Sequence, residues 1–267
     1  MTNSDGSCLV LDLYDYSLPT IFLVGILAIL TAIEIGHQLG ARVGDQGDDH
    51  VPTLEGAVIG LLALVVAFTF ATALSRFDAR RTAVLAEANA ITTTALRARL
   101  LPEPHRKEVL DLLRDYVNIR LDLTTRSTTQ AEWAAEIDKS NAIQEKLWQQ
   151  AMAMAASDPA MIPSGLFIQA LNAMIDDQAR RLAAHRSRVP NIVQLALFGI
   201  AIVASGFAGY ATGLKTRRSR VPVCVVGFLV TCVIVLILDL DRPGAGAIEV
   251  DQQPMIDAAA GIDAISD

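Results

Sequence analysis

Four blocks of apolar residues alternate with polar stretches along the 267-residue chain. They cover residues 19–39, 56–75, 191–214 and 221–238, and only the first is interrupted by ionisable side chains, Glu34 and His37. A helix needs about 20 mainly apolar residues to cross a hydrocarbon core of roughly 30 Å. The pattern therefore predicts four transmembrane helices, of which the first is the least conventional.

A polar stretch over residues 76–189 separates the second and third blocks. Apolar residues at helical spacing continue out of the second block with no Pro or Gly, which predicts one helix of about 45 residues. This helix should end near Leu101, because Pro102 and Pro104 follow. Three more amphipathic helices follow, the second opened by a capping box of Thr129 and Glu132.

No strand-like alternation occurs, so the predicted fold is all-α: four transmembrane helices with a helical extramembrane insert between the second and third spans. The expected organisation is an N-terminal tail over 1–18, transmembrane helices 1 and 2 over 19–75, the insert over 76–189, transmembrane helices 3 and 4 over 190–240, and a C-terminal tail over 241–267.

Composition supports a membrane protein and excludes other classes. The chain is 52% hydrophobic and 19% charged, with a mean hydropathy of +0.39, so its apolar residues must be segregated into blocks. A net charge of −7 argues against nucleic acid as a partner. Cys8, Cys224 and Cys232 form no CxxC pair and indicate neither a disulfide framework nor a zinc site.

Targeting and orientation follow from the basic residues. No Lys or Arg precedes Arg42, so we expect the first block to remain as an anchor of a multi-pass protein of the cell (inner) membrane. Arginines at both ends of the insert favour a cytoplasmic insert, whereas the short basic loop 215–220 favours the opposite side. The balance only slightly favours a cytoplasmic insert.

Small residues recur at intervals of three or four in two spans. The second span contains Gly56 and Gly60, and the third contains Ala201, Ser205, Gly209 and Gly213. Such faces let helix backbones approach closely in lipid. The pattern indicates either packing within one subunit or a subunit interface or pore-lining surface.

Two groups of ionisable residues lie within or at the ends of spans. Glu34 and His37 share a helix face, which fits a metal ligand pair, an ion or proton site, or an interfacial pair near the headgroups. Asp239, Asp241 and Arg242 follow the fourth span, where carboxylates oppose the helix dipole. Either a local ion pair with Arg242, a bound cation or an arginine of another subunit would offset them.

A third group of charges, Arg76, Arg80 and Arg81, follows the second span. These arginines fit a membrane-flanking anchor, or a ring around the axis of an oligomer that concentrates anions. No nucleophile elbow, P-loop, dinucleotide fingerprint or zinc-protease motif occurs, so no catalytic residue, enzyme activity, cofactor or metal is predicted.

Several motifs together resemble the bestrophin-like domain, a bacterial membrane domain of unknown function. They are GLLALVVAFTF at 60–70, SRFDARR at 75–81, EANAI at 87–91, LLPEP at 100–104, LAAHRS at 182–187 and LDRP at 240–243. The acidic loop after the first span, with Asp45, Asp48 and Asp49, departs from the basic loop expected of relatives. No bestrophin neck or calcium-clasp motif is found.

The resemblance implies a four-span subunit that assembles around a central pore, as bestrophin anion channels do. The first hypothesis is accordingly a homo-oligomeric, anion-permeable ion channel in the lipid bilayer, with the second span lining the pore and ions as candidate ligands. The alternative is a membrane-anchored sensor or scaffold whose insert binds a partner protein, with Trp133 and Trp148 as candidate anchors.

Overall fold

The computed structural model describes residues 13–44, 50–125, 130–157, 162–214, 219–244 and 246–266. Within these ranges the chain forms a short 3-10 helix and eight α-helices, and no strand. The 3-10 helix is Leu13–Asp15, and the α-helices are α1 Leu18–Val43, α2 Val51–Ala98, α3 His105–Thr125, α4 Gln130–Ser157, α5 Ile162–Arg186, α6 Asn191–Gly213, α7 Val221–Asp241 and α8 Gln253–Ser266. The predicted all-α fold is confirmed.

Four predicted features fall outside the described residues. They are Cys8, the acidic loop at 45–49, Thr129 of the proposed capping box, and residues 215–218 of the basic loop.

Four stretches of the described chain are long and apolar enough to cross a membrane: Leu18–Val43, Val51–Ala98, Ile162–Gly213 and Val221–Asp241. The third stretch runs through α5 and α6. The predicted set of four long apolar helices is thus confirmed.

Local chemistry sets the helix ends. Ser17 caps α1, its Oγ accepting a 3.4 Å hydrogen bond from the backbone N of Thr20. The same helix extends past its predicted end at residue 39 and ends at Val43. The next residue, Gly44, has a φ of 66° and terminates the helix. The long helix α2 is continuous over 48 residues and ends at Ala98, three residues before the predicted Leu101. Helix α7 extends past the predicted residue 238, so Asp239 and Asp241 belong to its last turn.

The chain divides into two compact units. The first comprises Met1–Ser75, Arg188–Arg242 and Gly246–Ile248, and in it α1 packs against α6 and α7. Ile29, Ile33, Leu197 and Ile234 are buried between these three helices. The α1–α6 contact is a backbone contact, since a Cβ added to Gly209 would lie 2.3 Å from the carbonyl O of Ile33.

The second unit comprises Arg76–Ser187, Pro243–Ala245 and Glu249–Asp267. The remainder of α2 packs there with α3, α4, α5 and α8 around an apolar core that includes Ile91, Leu113, Leu147 and Phe167. Helix α8 lies within residues 241–267, for which a C-terminal tail was predicted, and corrects that prediction. It contributes Met255, Ala258 and Ile262 to the core, at helical spacing.

Candidate functional site

One face of α2 is exposed along the part of the helix that lies in the first unit. Its small residues Gly56, Gly60, Ala63, Ala67 and Ala71 are all exposed, and a Cβ added to Gly56 or Gly60 would meet no described atom within 4 Å. The predicted small-residue face of the second span is therefore not used for packing against the described part of its own chain. It is a surface at which another helix or water can approach closely.

The part of α2 in the second unit has an exposed face of its own. Eighteen residues make about five helical turns, so Asp78 and Leu96 point in the same direction from the helix axis. Asp78 and Leu96 are exposed, as are Arg81, Leu85 and Asn89 at neighbouring angles. We call Gly56, Gly60, Ala63, Ala67 and Ala71 the α2 outer face, and Asp78, Arg81, Leu85, Asn89 and Leu96 the second-unit face of α2.

The three predicted pore-mouth arginines are not brought together. Only Arg81 lies on the second-unit face of α2. Arg80 is 6% exposed and lies roughly opposite to that face, and Arg76 Nη1 donates a 3.1 Å hydrogen bond to Ser187 Oγ. Asp78, which was not predicted as a site residue, also lies on the second-unit face of α2.

The four predicted small residues of α6 are all buried: Ala201, Ser205, Gly209 and Gly213. The two glycines lie against α1 of the same chain. A Cβ added to Gly213 would lie 2.3 Å from the carbonyl O of His37, so at this position, as at Gly209, only glycine permits the observed distance. The two small-residue faces predicted from the sequence are thus placed differently, one inside the chain and one on its surface.

Glu34 and His37 have separate partners. The carboxylate of Glu34 accepts a 2.9 Å hydrogen bond from Arg220 Nη1 and a 3.0 Å hydrogen bond from Gln38 Nε2. His37 Nδ1 lies 3.3 Å from Thr212 Oγ1. Within the described residues, no group of three or more His, Cys, Asp or Glu side chains is arranged to hold a metal ion.

The end of α7 forms hydrogen bonds with residues of the first unit that are far away in the sequence. The Asp241 carboxylate accepts a 2.8 Å hydrogen bond from the backbone N of Val189 and another from the Tyr14 hydroxyl. Asp239 Oδ1 accepts a 2.8 Å hydrogen bond from the backbone N of Ala247, and Arg242 Nη2 donates to the carbonyls of Leu13 and Tyr16. The donors to Asp241 and Asp239 stabilise carboxylates that oppose the helix dipole.

Tyr14 was not predicted to have a role. Its pKa is raised well above its ordinary value by burial, and also by its hydrogen bond to Asp241 and the negative charge of that carboxylate. The hydroxyl therefore remains a proton donor to Asp241 at neutral pH.

A buried polar cluster in the second unit was missed by the sequence analysis. The Glu87 carboxylate of α2 is 0% exposed and accepts hydrogen bonds from Tyr116 (2.8 Å) and Arg120 (3.2 Å) of α3 and from Arg181 (2.7 Å) of α5. Arg181 also donates a 3.1 Å hydrogen bond to Gln252, directly before α8. We call these residues the Glu87 cluster.

Amide side chains extend the Glu87 cluster to α4. Gln144 Nε2 lies 3.4 Å from the Tyr116 hydroxyl and also donates to Gln178 Oε1, while Gln178 Nε2 donates a 3.3 Å hydrogen bond to Asn141. Helices α2 to α5 thus all contribute side chains to one buried polar network.

The two guanidiniums of this network set the charge state of the Glu87 carboxylate. Burial alone would raise the pKa of Glu87, but the Arg120 and Arg181 guanidiniums beside the carboxylate outweigh it and hold the pKa of Glu87 below its usual range. Burial, together with the charge of Glu87, raises the pKa of Tyr116 well above its usual value. Glu87 is therefore ionised and Tyr116 neutral at physiological pH.

An apolar cavity of about 260 Å³ lies between α2, α6 and α7 in the first unit. Its lining is aliphatic except for Ser205, and includes Leu62, Ala204, Gly227 and Val230. This cavity suits an apolar group, and none of its described lining residues offers a charged side chain to an ion.

Comparison with known proteins agrees with this architecture. The Bestrophin-like domain matches residues 21–255, which is most of the chain. The chain belongs to the Bestrophin-like family. The resemblance inferred from the motifs is thereby confirmed. Among curated proteins no match was found.

Solved structures share the fold of this Bestrophin-like protein. A bacterial Bestrophin homologue from Klebsiella pneumoniae has a TM-score of 0.69 at 15% sequence identity, over 94% of this chain and 98% of that one. A mutant of a Klebsiella pneumoniae Bestrophin homologue has a TM-score of 0.68 at 14% identity, over 93% and 98% of the two chains. At such low identity, these similarities establish the fold alone.

Proposed function

We propose that the protein is a subunit of a homo-oligomeric ion channel in which the α2 outer face lines the central pore. The observation that supports the proposal is the exposure of these small residues from Gly56 to Ala71, over about four turns of α2. They are uncharged and leave room beside the helix for a water-filled path, and the exposed Leu74 shares the direction of Gly56. The proposal assigns the chain no catalytic role.

Family membership supports the same arrangement, because the resemblance to bestrophin anion channels implies subunits around a central pore. In such a ring, Asp78 and Arg81 of each copy would face the axis close to the end of the membrane segment. Rings of charged side chains at a pore set the sign of the permeant ion. Arg81 favours the anions proposed from the sequence, whereas Asp78 favours cations.

Oligomeric state is the first test. We expect the purified full-length protein in detergent to have the mass of a ring of several subunits. Gly60→Leu would place a bulky side chain in the proposed pore and should leave the ring intact. Gly199 of α6 offers a matched control, since its surroundings are equally open within the chain and it lies outside the α2 outer face.

Ion flux is the second test. Protein reconstituted in liposomes should conduct chloride or potassium, and Gly60→Leu should reduce the flux while Gly199→Leu preserves it. A monomeric particle without flux at any pH or calcium concentration would overturn the proposal. That result would favour the scaffold alternative. The candidate anchors of that alternative already have contacts within the chain, because Trp133 stacks on His185 at 4.3 Å between ring centroids and Trp148 packs on the core.

The placement in the membrane is part of the same proposal. We propose a multi-pass protein of the inner membrane with spans within 19–75 and 190–240 and with the helical insert 76–189 outside the bilayer, on the cytoplasmic side. Asp111→Cys and Asp138→Cys each place a cysteine at an exposed position of the insert. These cysteines should react with a membrane-impermeant thiol reagent only after the cells are opened. Labelling of intact spheroplasts would place the insert on the other side.

A further inference from the structure

The Glu87 cluster contains an unbalanced buried charge. Two guanidiniums, those of Arg120 and Arg181, surround the single carboxylate of Glu87, which gives the cluster a net charge of +1. The side chains of Arg120, Arg181 and Glu87 are 2%, 10% and 0% exposed, so solvent screens this charge poorly. A buried charge without a counter-charge is strongly destabilising to a folded core.

Titration of the cluster cannot remove the excess charge at neutral pH. A guanidinium does not lose its proton in a protein. The Tyr116 hydroxyl, which could supply a second negative charge, is kept neutral because burial and Glu87 raise its pKa. The only remaining way to balance the cluster is a negative charge that the cluster does not itself contain.

The donors of the two guanidiniums show where that charge would bind. Arg181 uses Nη1 for Glu87 and Nη2 for Gln252. Arg120 directs Nη2 to Glu87, and its Nε lies 2.8 Å from Glu87 Oε1 without the alignment of a hydrogen bond. Arg120 Nη1 is buried and has no hydrogen-bond acceptor among the residues that the structure describes.

We propose that the second unit binds a small monovalent anion of the chloride type at Nη1 of Arg120, as a built-in counter-ion of the Glu87 cluster. A monovalent ion matches the single excess charge. A single unpaired N–H group suits a small ion better than a phosphate or carboxylate, which a guanidinium binds through two parallel donors. The site lies within the second unit, and it does not depend on channel activity.

Thermal unfolding of the full-length protein in detergent tests this site. The melting temperature is compared in sodium chloride and in sodium gluconate of equal ionic strength, because gluconate is a much larger anion than chloride. A ligand at about ten times its dissociation constant should raise the Tm of a unit this size by about 3–5 °C. We expect that rise for the wild type and for Arg106→Gln, an exposed arginine of the same helix, and no rise for Arg120→Gln.

Crystals grown in sodium bromide give a second measurement that does not depend on the variant folding. We expect an anomalous peak within hydrogen-bond distance of Arg120 Nη1 in the wild-type protein. The proposal is overturned if the wild-type Tm is the same in both salts, if Arg120→Gln keeps the rise, or if no bromide peak appears at this position.

Discussion

Arg181 Nη1 lies 2.7 Å from Glu87 Oε2, and this contact joins α5 to α2 across 94 positions of the sequence. Both side chains are almost entirely buried, so the pair is shielded from solvent and from salt. It is the link between α2 and α5 within the Glu87 cluster, and through Gln252 it also reaches the segment that leads into α8.

Replacing Glu87 with Gln should destabilise the second unit. Removing the carboxylate leaves two buried guanidiniums without their shared partner, a change that costs about 3–5 kcal/mol in comparable buried pairs. We expect a clear loss of melting temperature in thermal unfolding of the purified protein. Glu103→Gln is the matched control, because Glu103 is 52% exposed in its pair with Arg106 and should change stability by less than about 1 kcal/mol.

The stability of the second unit should fall as the pH drops below about 4.3. The folded-state pKa of Glu87 lies below its unfolded value, so the carboxylate stabilises the fold above the unfolded pKa of about 4.3. This contribution is lost as the pH falls from there through the folded pKa. Unfolding measured between pH 3 and 7 should therefore show a flatter acid limb in Glu87→Gln than in the wild type. An equally steep acid limb in both proteins would show that Glu87 does not contribute to it.

Two glycines of the membrane helices should respond in opposite ways to alanine. A Cβ at Gly209 would lie 2.3 Å from the carbonyl O of Ile33, so Gly209→Ala must separate α1 from α6 and should cost about 1–3 kcal/mol. A Cβ at Gly60 meets nothing within the described part of its own chain, and Gly60→Ala should be neutral or gain up to about 1 kcal/mol of helix propensity. Melting temperatures in detergent would distinguish them, and equal losses would contradict the assigned packing.

If α2 lines the pore, Asp78 and Arg81 should tune its selectivity in opposite directions. Asp78→Asn removes a negative ring and should shift the chloride-to-potassium permeability ratio upward by about threefold, and Arg81→Gln should shift it downward by a similar factor. Reversal potentials of reconstituted protein in asymmetric salt would measure both. Arg106→Gln, an exposed arginine of α3, should leave the ratio unchanged.

Much of the secondary structure was predictable because it depends on local rules. Helix α1 ends before Gly44, and α2 ends a few residues before Pro102. Apolar blocks of sufficient length define the four long helices. Helix α8 was missed because its apolar positions, Met255, Ala258 and Ile262, are few and include a small residue. The sequence does indicate that Glu87 is buried. It lies three residues after Val84 and four before Ile91, so it shares the buried helix face of these two residues.

The sequence by itself determined an all-α chain with four apolar helices and one helix that continues far beyond its apolar block, since periodicity and block length act within each element. It could not determine which small-residue face meets another helix of the same chain and which stays exposed, because the composition of the two faces is similar. Tertiary structure decided that α6 packs on α1 through Gly209, and that α2 leaves Gly60 open. It also decided that Glu87, Arg120 and Arg181 meet, since long-range contacts depend on how helices pack and not on spacing along the chain.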